Sequence, residues 1–568
     1  MIPAGPDAVR AVADRYLEDK AALDPETAAV LGHEGVAPVP DLSPEAFAAR
    51  ADLDRRTVAA LRDAVATAER VPAGDRRLAT TMVERLGSDV DLYDAGFTTT
   101  LLAPLATPVH AMRQVFDDLP TGSDQDWARI ADTLDSVPAG LAAYTRTLEQ
   151  ARAEGRRFAP RQALGLARQC RSWVDPRGTD FYGSLVARHD GALAGRLRAA
   201  AQAAAAATAA FADYLTTDLA PTATAPDGVG REVYEVTSRA FLGATVDLDE
   251  LHAYGWEELR RLDAESRSLA RSITGEADLD RALAVLDGDP SGQVEAGEPL
   301  VRWLQDRIDR VAAHLDGTHF DIPAHTAPVE ARMVTAGSGV MYYAPPDHAL
   351  TRPGRVWWSV PAGTAALPTW REVSTVHHEG LPGHHLQYAV TLGLDDLHPW
   401  QRHLCHVHGY AEGWAHYAEQ VSVELGLLDD PRERLGMLYA QMWRAARIVV
   451  DMGLHLSLPI PRGNGFTEES TWTPELAVDF LHRVAGVDPQ TAQFEVDRYL
   501  GWPGQALAFK AGARLWQQAR ADQEQRQGAD FVLKRFHRQA LELGPMGLGP
   551  LQELLLAEDT GTNGDAHE

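Results

Sequence analysis

The stretch STVHHEGLPGHHLQYAV, residues 374–390, combines four histidines, one glutamate and a Pro-Gly pair. Two histidines at positions i and i+4 of a helix, with a glutamate beside the first, are the ligand pattern of a zinc helix. Here the position four residues after His378 is Pro382, which cannot ligate and which interrupts a helix. On a straight helix His384 would point about 240° round from His378, and His385 would lie about two turns away. The spacing therefore predicts a bend at the Pro-Gly pair that returns His384 to the side of His378.

A helix that begins at residue 369 is expected to carry this stretch. Thr369 follows a proline, and Glu372 comes three residues later, which is the spacing of a capping box. Glu379 directly follows His378 and so points about 100° away from it round the helix. From there Glu379 can reach a water molecule beside a metal ion without binding the metal, which suits a general base.

Other interpretations of the histidines stay open. His385 or His377 can take the place of His384 as the second imidazole ligand. The segment can also be a helix and turn whose histidines are solvated and bind no metal.

A second helix is predicted over residues 403–426, HLCHVHGYAEGWAHYAEQVSVELG. Apolar residues recur along it every three or four positions, as on a face that packs into a core. Beside that stripe lie His408, Glu412, His416 and Glu419. Such a polar stripe can be a solvated face, but beside a core stripe it can also reach a buried cleft. Glu412 follows His384 by 28 residues, a reasonable distance for a third ligand in a site with two histidines and one glutamate.

Two further motifs carry candidate substrate-binding and catalytic groups. In MWRAARIVVDMGLHL, residues 442–456, one helical side presents Arg444, Arg447, Asp451 and His455, although Arg447 and Asp451 can equally form a simple i,i+4 salt bridge. In VDRYLGWPGQALAFKAG, residues 496–512, a Pro-Gly turn is surrounded by Arg498, Tyr499, Gln505 and Lys510. Cation, phenol and amide together are suited to holding a substrate carboxylate and an oxyanion.

Composition narrows the class of protein. The 568 residues are 45% hydrophobic and 24% charged, as expected of a globular protein. The net charge of −28 argues against broad contact with nucleic acid or an anionic membrane, which requires a basic surface. Two cysteines do not make a disulfide framework, and neither a secretory signal pattern nor an apolar run of about 18 residues is present. We therefore expect a cytoplasmic protein, and the oligomeric state stays open.

Most of the chain has helical patterning. Helices are expected over 6–32, 44–70, 76–94, 126–153, 190–218, 247–270, 299–315 and from 369 to about 558. The alanine-rich segment 194–219 predicts a structural helix that packs closely on its neighbours. A Pro/Gly-rich link at 220–234 suggests an N-terminal helical lobe, 1–225, and a metal-binding catalytic lobe, 226–568. Short aromatic and β-branched segments at 329–334, 339–346 and 355–361 predict a small sheet.

Four motifs in this order resemble a bacterial family indexed as domain of unknown function 885. They are HHEGLPGHHLQ, YAEGWAHYAE, RAARIVVDMGLH and DRYLGWPGQALAFKAG. The family looks related to the helical Glu-zinc peptidases (gluzincins) such as angiotensin-converting enzyme, oligoendopeptidases and carboxypeptidase Taq. This resemblance implies a mostly α, two-lobed fold with a deep central channel and a small sheet near the active-site helix. It also implies zinc on His378, His384 and Glu412, with Glu379 as base, although those relatives keep HExxH where this chain has HExxPGH.

The sequence thus predicts an enzyme that binds one zinc ion and hydrolyses peptide or peptide-like amide bonds, as a carboxypeptidase-type exopeptidase on short substrates. Another divalent metal is an alternative to zinc. Tyr499 or His455 is expected to donate to the oxyanion, and Arg447, Arg498, Gln505 or Lys510 to bind the substrate. The VWWSV strand, 356–360, is expected to pair with the substrate backbone. The alternatives are a metal-dependent amidase or other enzyme acting on a small biosynthetic intermediate, and a helical binding module without activity.

Overall fold

The structure is a computed structural model that describes residues 7–33, 39–326, 328–335, 341–346, 352–361 and 363–561. The predicted predominance of helix is confirmed. The first nine helices are α1 (Ala8–Ala21), α2 (Pro25–Val30), α3 (Pro44–Thr67), α4 (Ala73–Asp94), α5 (Pro108–Asp118), α6 (Asp124–Ala153), α7 (Pro160–Trp173), α8 (Phe181–Val186) and α9 (Ala194–Tyr214).

The described residues after α9 add further helices and five short strands. The helices are α10 (Arg231–Leu242), α11 (Leu248–Thr274), α12 (Leu279–Gly288), α13 (Glu298–Leu315), α14 (Thr369–Thr375), α15 (His384–Leu392), α16 (His408–Glu424), α17 (Pro431–Leu456), α18 (Pro474–Ala485), α19 (Pro489–Gly501), α20 (Ala508–Gln527), α21 (Leu533–Glu542) and α22 (Leu548–Gly561). The strands are β1 (Gln293–Glu295), β2 (Val329–Thr335), β3 (Tyr342–Ala344), β4 (Gly354–Val360) and β5 (Ala366–Pro368).

The chain divides into two compact units. The first unit contains the described residues of Met1–Thr237, Leu454–Ser457 and Gln493–Pro503. The second contains those of Ser238–Gly453, Leu458–Ala492 and Gly504–Glu568. The division into lobes 1–225 and 226–568 stays a prediction.

In the first unit, the alanine-rich α9 packs against α6. Its face towards the core carries small side chains, with Ala200, Ala201 and Ala204 all buried beside Leu197. Alanine has high helix propensity and lets a neighbouring helix approach closely. The prediction of a structural helix at 194–219 is therefore confirmed, with π-helical turns at its end, Leu215–Leu219.

Several element bounds differ from the sequence prediction. The helix expected over 6–32, whose residue 6 lies outside the described part, is two helices, because the Asp24 side chain accepts from Thr27 N and caps a new helix at Pro25. Helices α5 and α7 were not predicted. Each begins with a proline, which suits the first helical position because its missing N–H would have had no helical partner there.

The second unit contains the predicted small sheet. Strand β4 pairs in parallel with β2 over its full length and antiparallel with β3 at Arg355–Trp357. Residues 339 and 340 of the predicted middle strand lie outside the described residues. The sheet packs beside the histidine segment, because Val376 shares its core cluster and the Trp358 indole donates a 2.6 Å hydrogen bond to Glu372 of α14.

The sequence predicts that the strand at 356–360 pairs with the substrate backbone, and this is wrong for residues 356 and 357, which have neighbouring strands on both sides. Arg355, Val356 and Trp357 have partners in both β2 and β3. Their backbone groups already belong to two ladders, so a substrate strand cannot be added there.

Candidate metal centre

The histidine segment begins as predicted, at Thr369, but without a capping box. No side chain caps α14, whose preceding residue is Pro368. The Thr369 hydroxyl donates to Gly292 O at 3.0 Å, and Glu372 turns inward to the Trp358 indole. The capping box prediction is therefore wrong, because Glu372 is buried and its carboxylate is engaged by the sheet.

The bend between the histidines is a break between two helices and not a kink within one. After α14 the chain forms a π-helical turn at Val376–Gly380, becomes extended at Leu381 and starts α15 at His384. The Trp414 indole of α16 donates to Pro382 O at 2.9 Å and to Gly383 O at 3.2 Å, which fastens the junction. Pro382 and Gly383, the two residues by which HExxPGH is longer than HExxH, therefore lie in this junction.

The junction is so tight that only glycine fits at position 383. A Cβ atom there would lie 2.0 Å from His378 O and 2.4 Å from His377 O. This close approach of the two backbones lets the first residue of α15 face the π-helical turn.

Three side chains converge at this point: His378, His384 and Glu412. Glu412 Oε2 lies 3.3 Å from His378 Nε2 and 3.6 Å from His384 Nε2. One potential ligand atom from each residue lies within 4.8 Å of the other two. The imidazole planes are nearly perpendicular, with ring centres 5.0 Å apart.

The electrostatics of this cluster follow from burial and mutual contact. Burial alone would lower the pKa of His378, but its contacts with Glu412 and Glu419 raise it to about 10. Burial alone would raise the pKa of Glu412, but His378 and His384 hold it well below its usual range. These shifts favour a positive charge on His378 and a negative charge on Glu412.

The two neighbouring histidines have other partners. His377 Nδ1 lies 3.1 Å from Leu381 O, and burial lowers the pKa of His377 to about 4. His385 Nδ1 lies 3.0 Å from the Tyr343 hydroxyl, and burial lowers its pKa to about 4 as well. Of the three imidazoles considered from the sequence, His384 is the one that the structure brings beside His378.

A buried carboxylate holds the other side of His378. Glu419 Oε1 lies 2.7 Å from His378 Nδ1, so Nδ1–H donates to it and Nε2 is left facing Glu412. The second Glu419 oxygen accepts from the Ser374 hydroxyl and from Gln441 Nε2, both at 3.1 Å. Glu419 is 1% exposed. A carboxylate on the far nitrogen of a histidine fixes its tautomer and orientation, as around metal ligands.

Glu379 is partly exposed and lies in the π-helical turn next to His378. Burial raises the pKa of its carboxyl, an effect opposed by His378 and His384 and reinforced by Glu412. A carboxyl with a raised pKa is better able to accept a proton near neutral pH.

The predicted substrate-binding residues of the second unit are all buried. Lys510 Nζ forms a 2.7 Å ion pair with Glu258 and donates to Gln441 Oε1 at 3.1 Å, so it supports the network behind Glu419. The Arg447 guanidinium lies over the rings of Trp443 and Phe509, and Gln505 lies in the turn before α20. Their roles towards a substrate stay predictions.

The other predicted residues belong to the first unit. His455 Nδ1 accepts from Val229 N at 3.2 Å, and its Nε2 donates to Tyr499 O at 3.0 Å. The Tyr499 hydroxyl and the Arg498 guanidinium both donate to Glu495, at 2.6 and 2.7 Å. Within this unit the His455 ring contacts two backbone groups, and Tyr499 and Arg498 share Glu495 as a partner. Their catalytic and substrate-binding roles also stay predictions.

Helix α16 begins at His408 and not at residue 403, because Val407 is extended with φ −133° and ψ 115°. This shift leaves the predicted face of α16 intact, since Glu412 and Glu419 both reach His378.

One residue that the sequence reasoning passed over is Tyr388. It follows His384 by four residues on α15 and so lies on the same helical face. Burial, and after it the Glu412 carboxylate, raises the pKa of its phenol. The i,i+4 spacing from His384 is the signal that would have found it.

Residues 25–555 match the family described as bacterial protein of unknown function (DUF885), and the chain belongs to this family. No curated protein matches the chain. A crystal structure from Colwellia psychrerythraea has a TM-score of 0.79 at 20% identity and covers 99% of this chain and 100% of its own. A structure from Shewanella oneidensis has a TM-score of 0.73 at 15% identity, with 96% and 99% coverage. Both proteins are provisionally described as lipoproteins, the second of unknown function, and their likeness shows the fold.

Among the helices in the described ranges, none is long and apolar enough to cross a membrane. The cytoplasmic location stays a prediction.

Proposed function

We propose that this protein is a zinc-dependent hydrolase of peptide or peptide-like amide bonds, with His378, His384 and Glu412 as the metal ligands. The observation that carries the proposal is the convergence of two imidazole nitrogens on one carboxylate oxygen at 3.3 and 3.6 Å. Glu419 behind His378 supports it, because it supplies the second layer of hydrogen bonding that such ligands usually have.

The donor set fits zinc in type and spacing. Zinc in proteins is bound by imidazole nitrogen and carboxylate oxygen at about 2.0–2.2 Å with tetrahedral geometry. Ligand atoms at such bond lengths are roughly 3.3–3.6 Å apart, which matches both separations from Glu412 Oε2. Three protein ligands leave a fourth position for water or substrate, as in catalytic zinc sites. When bound, zinc supplies Lewis-acid chemistry that polarises a carbonyl and lowers the pKa of water.

Protein groups then move the protons. Glu379 accepts a proton from the attacking water and passes it to the leaving amine, since its raised pKa suits both steps. We assign the oxyanion donor to Tyr388, on the face of α15 that His384 presents to Glu412. His455 and Tyr499, the donors expected from the sequence, already contact Val229, Glu495 and each other.

The substrate is proposed to be a short peptide or peptide-like molecule cleaved near its carboxyl end. The resemblance to the gluzincin peptidases supports this, and the two-lobed fold with a deep channel is part of the same proposal. The alternative is a metal-dependent amidase or other enzyme acting on a small biosynthetic intermediate, which would use the same residues on a different substrate. A binding module without activity is the third possibility that the test must separate.

The test combines metal analysis with an unbiased substrate screen. Purified protein is analysed for zinc and other divalent metals, then incubated with a peptide library and a panel of N-acyl amino acids, with products read by mass spectrometry. We expect near one zinc per chain and cleavage of at least one substrate. Glu379→Gln should keep the zinc and lower turnover about 10²- to 10⁴-fold, the usual contribution of a general base.

Each outcome selects one alternative. Zinc in the protein with cleavage of acyl amino acids and not of peptides favours the amidase. A protein that binds zinc but cleaves nothing favours the binding module. Full turnover by Glu379→Gln removes the proposed base, and absence of zinc from the wild type contradicts the proposal itself.

A further inference from the structure

A second arginine of α17, Arg444, lies in an unusual setting beside the candidate metal centre. Its guanidinium carbon lies 5.3 Å from the centre of the Trp443 ring and 5.8 Å from that of Phe509. Arg447, one turn later, lies over the same two rings at 4.7 and 4.5 Å. The two aromatic side chains thus hold a pair of cations on one side of α17, in contacts that arginine favours.

Phe509 also connects this pair to the metal centre. Its ring stacks on the His378 ring, with centres 6.3 Å apart and planes 16° from parallel. The distance from the centre of the His378 ring to the guanidinium carbon of Arg444 therefore cannot exceed the sum of these two separations, 6.3 Å and 5.8 Å.

Arg444 has few protein partners for a charged group. Its Nη1 donates to Ala440 O, within its own helix, at 3.4 Å, and its Nε is buried without a hydrogen-bond partner. Across the described part of the chain, no carboxylate oxygen lies within 4.0 Å of its nitrogens. Arg444 is half-buried, and arginines withdrawn from water are normally paired with an acid. Without such a partner among the described residues, Arg444 beside a candidate active site indicates an anion supplied from outside the protein.

The nearby acids are placed so that they do not satisfy Arg444. Burial lowers the pKa of Arg444, and the charges of Glu419, Glu412 and Glu379 oppose this from beyond contact distance. Glu412 is turned to the two histidines, and Glu419 to His378, Ser374 and Gln441. The carboxylates of Glu412 and Glu419 are thus already engaged with other groups, which leaves Arg444 without a carboxylate partner among the described residues.

We propose that Arg444 binds the free α-carboxylate of the substrate, one residue beyond the bond that is cleaved. This rests on the proposed function and deepens it: the substrate class becomes N-acyl amino acids and peptides that lose a single C-terminal residue. Arginine recognises a carboxylate through two parallel hydrogen bonds, which gives both affinity and orientation.

The distances suit such a leaving group. A zinc–oxygen bond is about 2.1 Å, one residue extends about 3.5 Å, and a charge-assisted hydrogen bond is about 2.8 Å. The sum of these three lengths is smaller than the upper limit on the distance between the His378 ring and the Arg444 guanidinium. A carboxylate four or more residues beyond the cleaved bond would have to fold back, so internal cleavage of long chains is disfavoured.

The experiment compares two matched ligands in three proteins. The ligands are N-acetylglycine and N-acetylglycinamide, which differ only in the charge of the terminal group. The proteins are the zinc-loaded wild type, Arg444→Gln and, as the control, Arg432→Gln, which removes an exposed arginine of the same helix. Binding is followed by calorimetry, and zinc content and thermal unfolding are recorded for each protein.

We expect the wild type and the control to prefer the acid by about 10- to 100-fold, the worth of hydrogen bonds to a charged group. Arg444→Gln should lose this preference and keep its zinc. Arg444→Lys, which keeps the charge without the planar fork, should retain only part of the preference. If Arg444→Gln unfolds, the lysine variant decides.

Two results would overturn the assignment. The first is an undiminished preference for the acid in Arg444→Gln or Arg444→Lys. The second is equal weak binding of acid and amide to the wild type. Failure of the proposed function would look different, because the protein would then lack zinc or would hydrolyse no substrate. The two results above are obtained with protein that has bound zinc, and so they test only the role of Arg444. If a substrate is found, its kcat/KM relative to that of its C-terminal amide should change in the same direction in the same variants.

Discussion

Replacement of Glu419 by glutamine tests how the protein orients and polarises His378, which we propose as a metal ligand. The carboxylate accepts the His378 Nδ1 proton at 2.7 Å and is 1% exposed. Glutamine keeps the shape and can still accept that proton through its carbonyl oxygen. It cannot carry the charge, so Nε2 of His378 becomes a weaker ligand.

The expected loss is 10- to 100-fold in zinc affinity, which corresponds to about 1.4–2.7 kcal/mol. A separate cost falls on stability. The new amide nitrogen would face Gln441 Nε2, which now donates to Glu419 at 3.1 Å, so this buried hydrogen bond would be lost while Gln441 Nε2 keeps His416 as a partner. The loss of one such hydrogen bond costs about 0.5–1.5 kcal/mol.

The assay is a competition titration of zinc against a chromophoric chelator at fixed pH. Ser374→Ala is the control, because it removes a 3.1 Å hydrogen bond to the same carboxylate and leaves the His378 contact in place. We expect its zinc affinity to stay within about threefold of wild type, since only a net hydrogen-bond contribution is lost. Wild-type affinity in a folded Glu419→Gln protein would refute the assigned role of Glu419.

Three further predictions follow from the same geometry. His384→Ala should lower zinc content far more than His385→Ala or His377→Ala, because only His384 faces Glu412, and elemental analysis showing the reverse would mean that a different imidazole binds. Gly383→Ala should lower the free energy of urea unfolding by about 1–3 kcal/mol and also lower the zinc content, because the added Cβ would lie 2.0 Å from His378 O. Gly380→Ala is the control, since its Cβ would have no atom within 4 Å, and it should retain the zinc. In zinc-free protein, burial lowers the pKa of His378, but Glu412 and Glu419 raise it to about 10, against 6.5 in the unfolded chain. Protonated His378 therefore stabilises the fold fully below pH 6.5, and this contribution is lost as the pH rises through 10. Denaturation at several pH values should show this loss in wild type and not in His378→Gln.

Local spacing in the sequence indicated the main features of the candidate metal centre. The six-residue interval between His378 and His384, with Pro382 and Gly383 inside it, excluded a straight helix and required the chain to bend there. The position of Glu412 beside an apolar stripe of α16 was also visible, since helical periodicity depends only on local order. What the periodicity could not give was the form of the bend, a π-helical turn followed by a new helix.

One error arose where a long-range contact competes with a local one. Glu372 has the spacing of a capping residue, yet its carboxylate accepts from Trp358, fourteen residues earlier on a strand. The partners of Lys510 and Tyr499 were not visible in the sequence either, since Lys510 pairs with Glu258 of α11 and the Tyr499 hydroxyl donates to Glu495, one turn earlier in α19. Their roles towards a substrate stay predictions.

The most direct measurement is the position of zinc in a crystal of the wild-type protein, located by anomalous scattering at the zinc edge. We expect one strong peak per chain within about 2.0–2.2 Å of His378 Nε2, His384 Nε2 and a Glu412 oxygen, with Glu419 outside the coordination sphere. A peak at any other group of residues, or protein prepared in excess zinc that shows no peak between these three side chains, would contradict it.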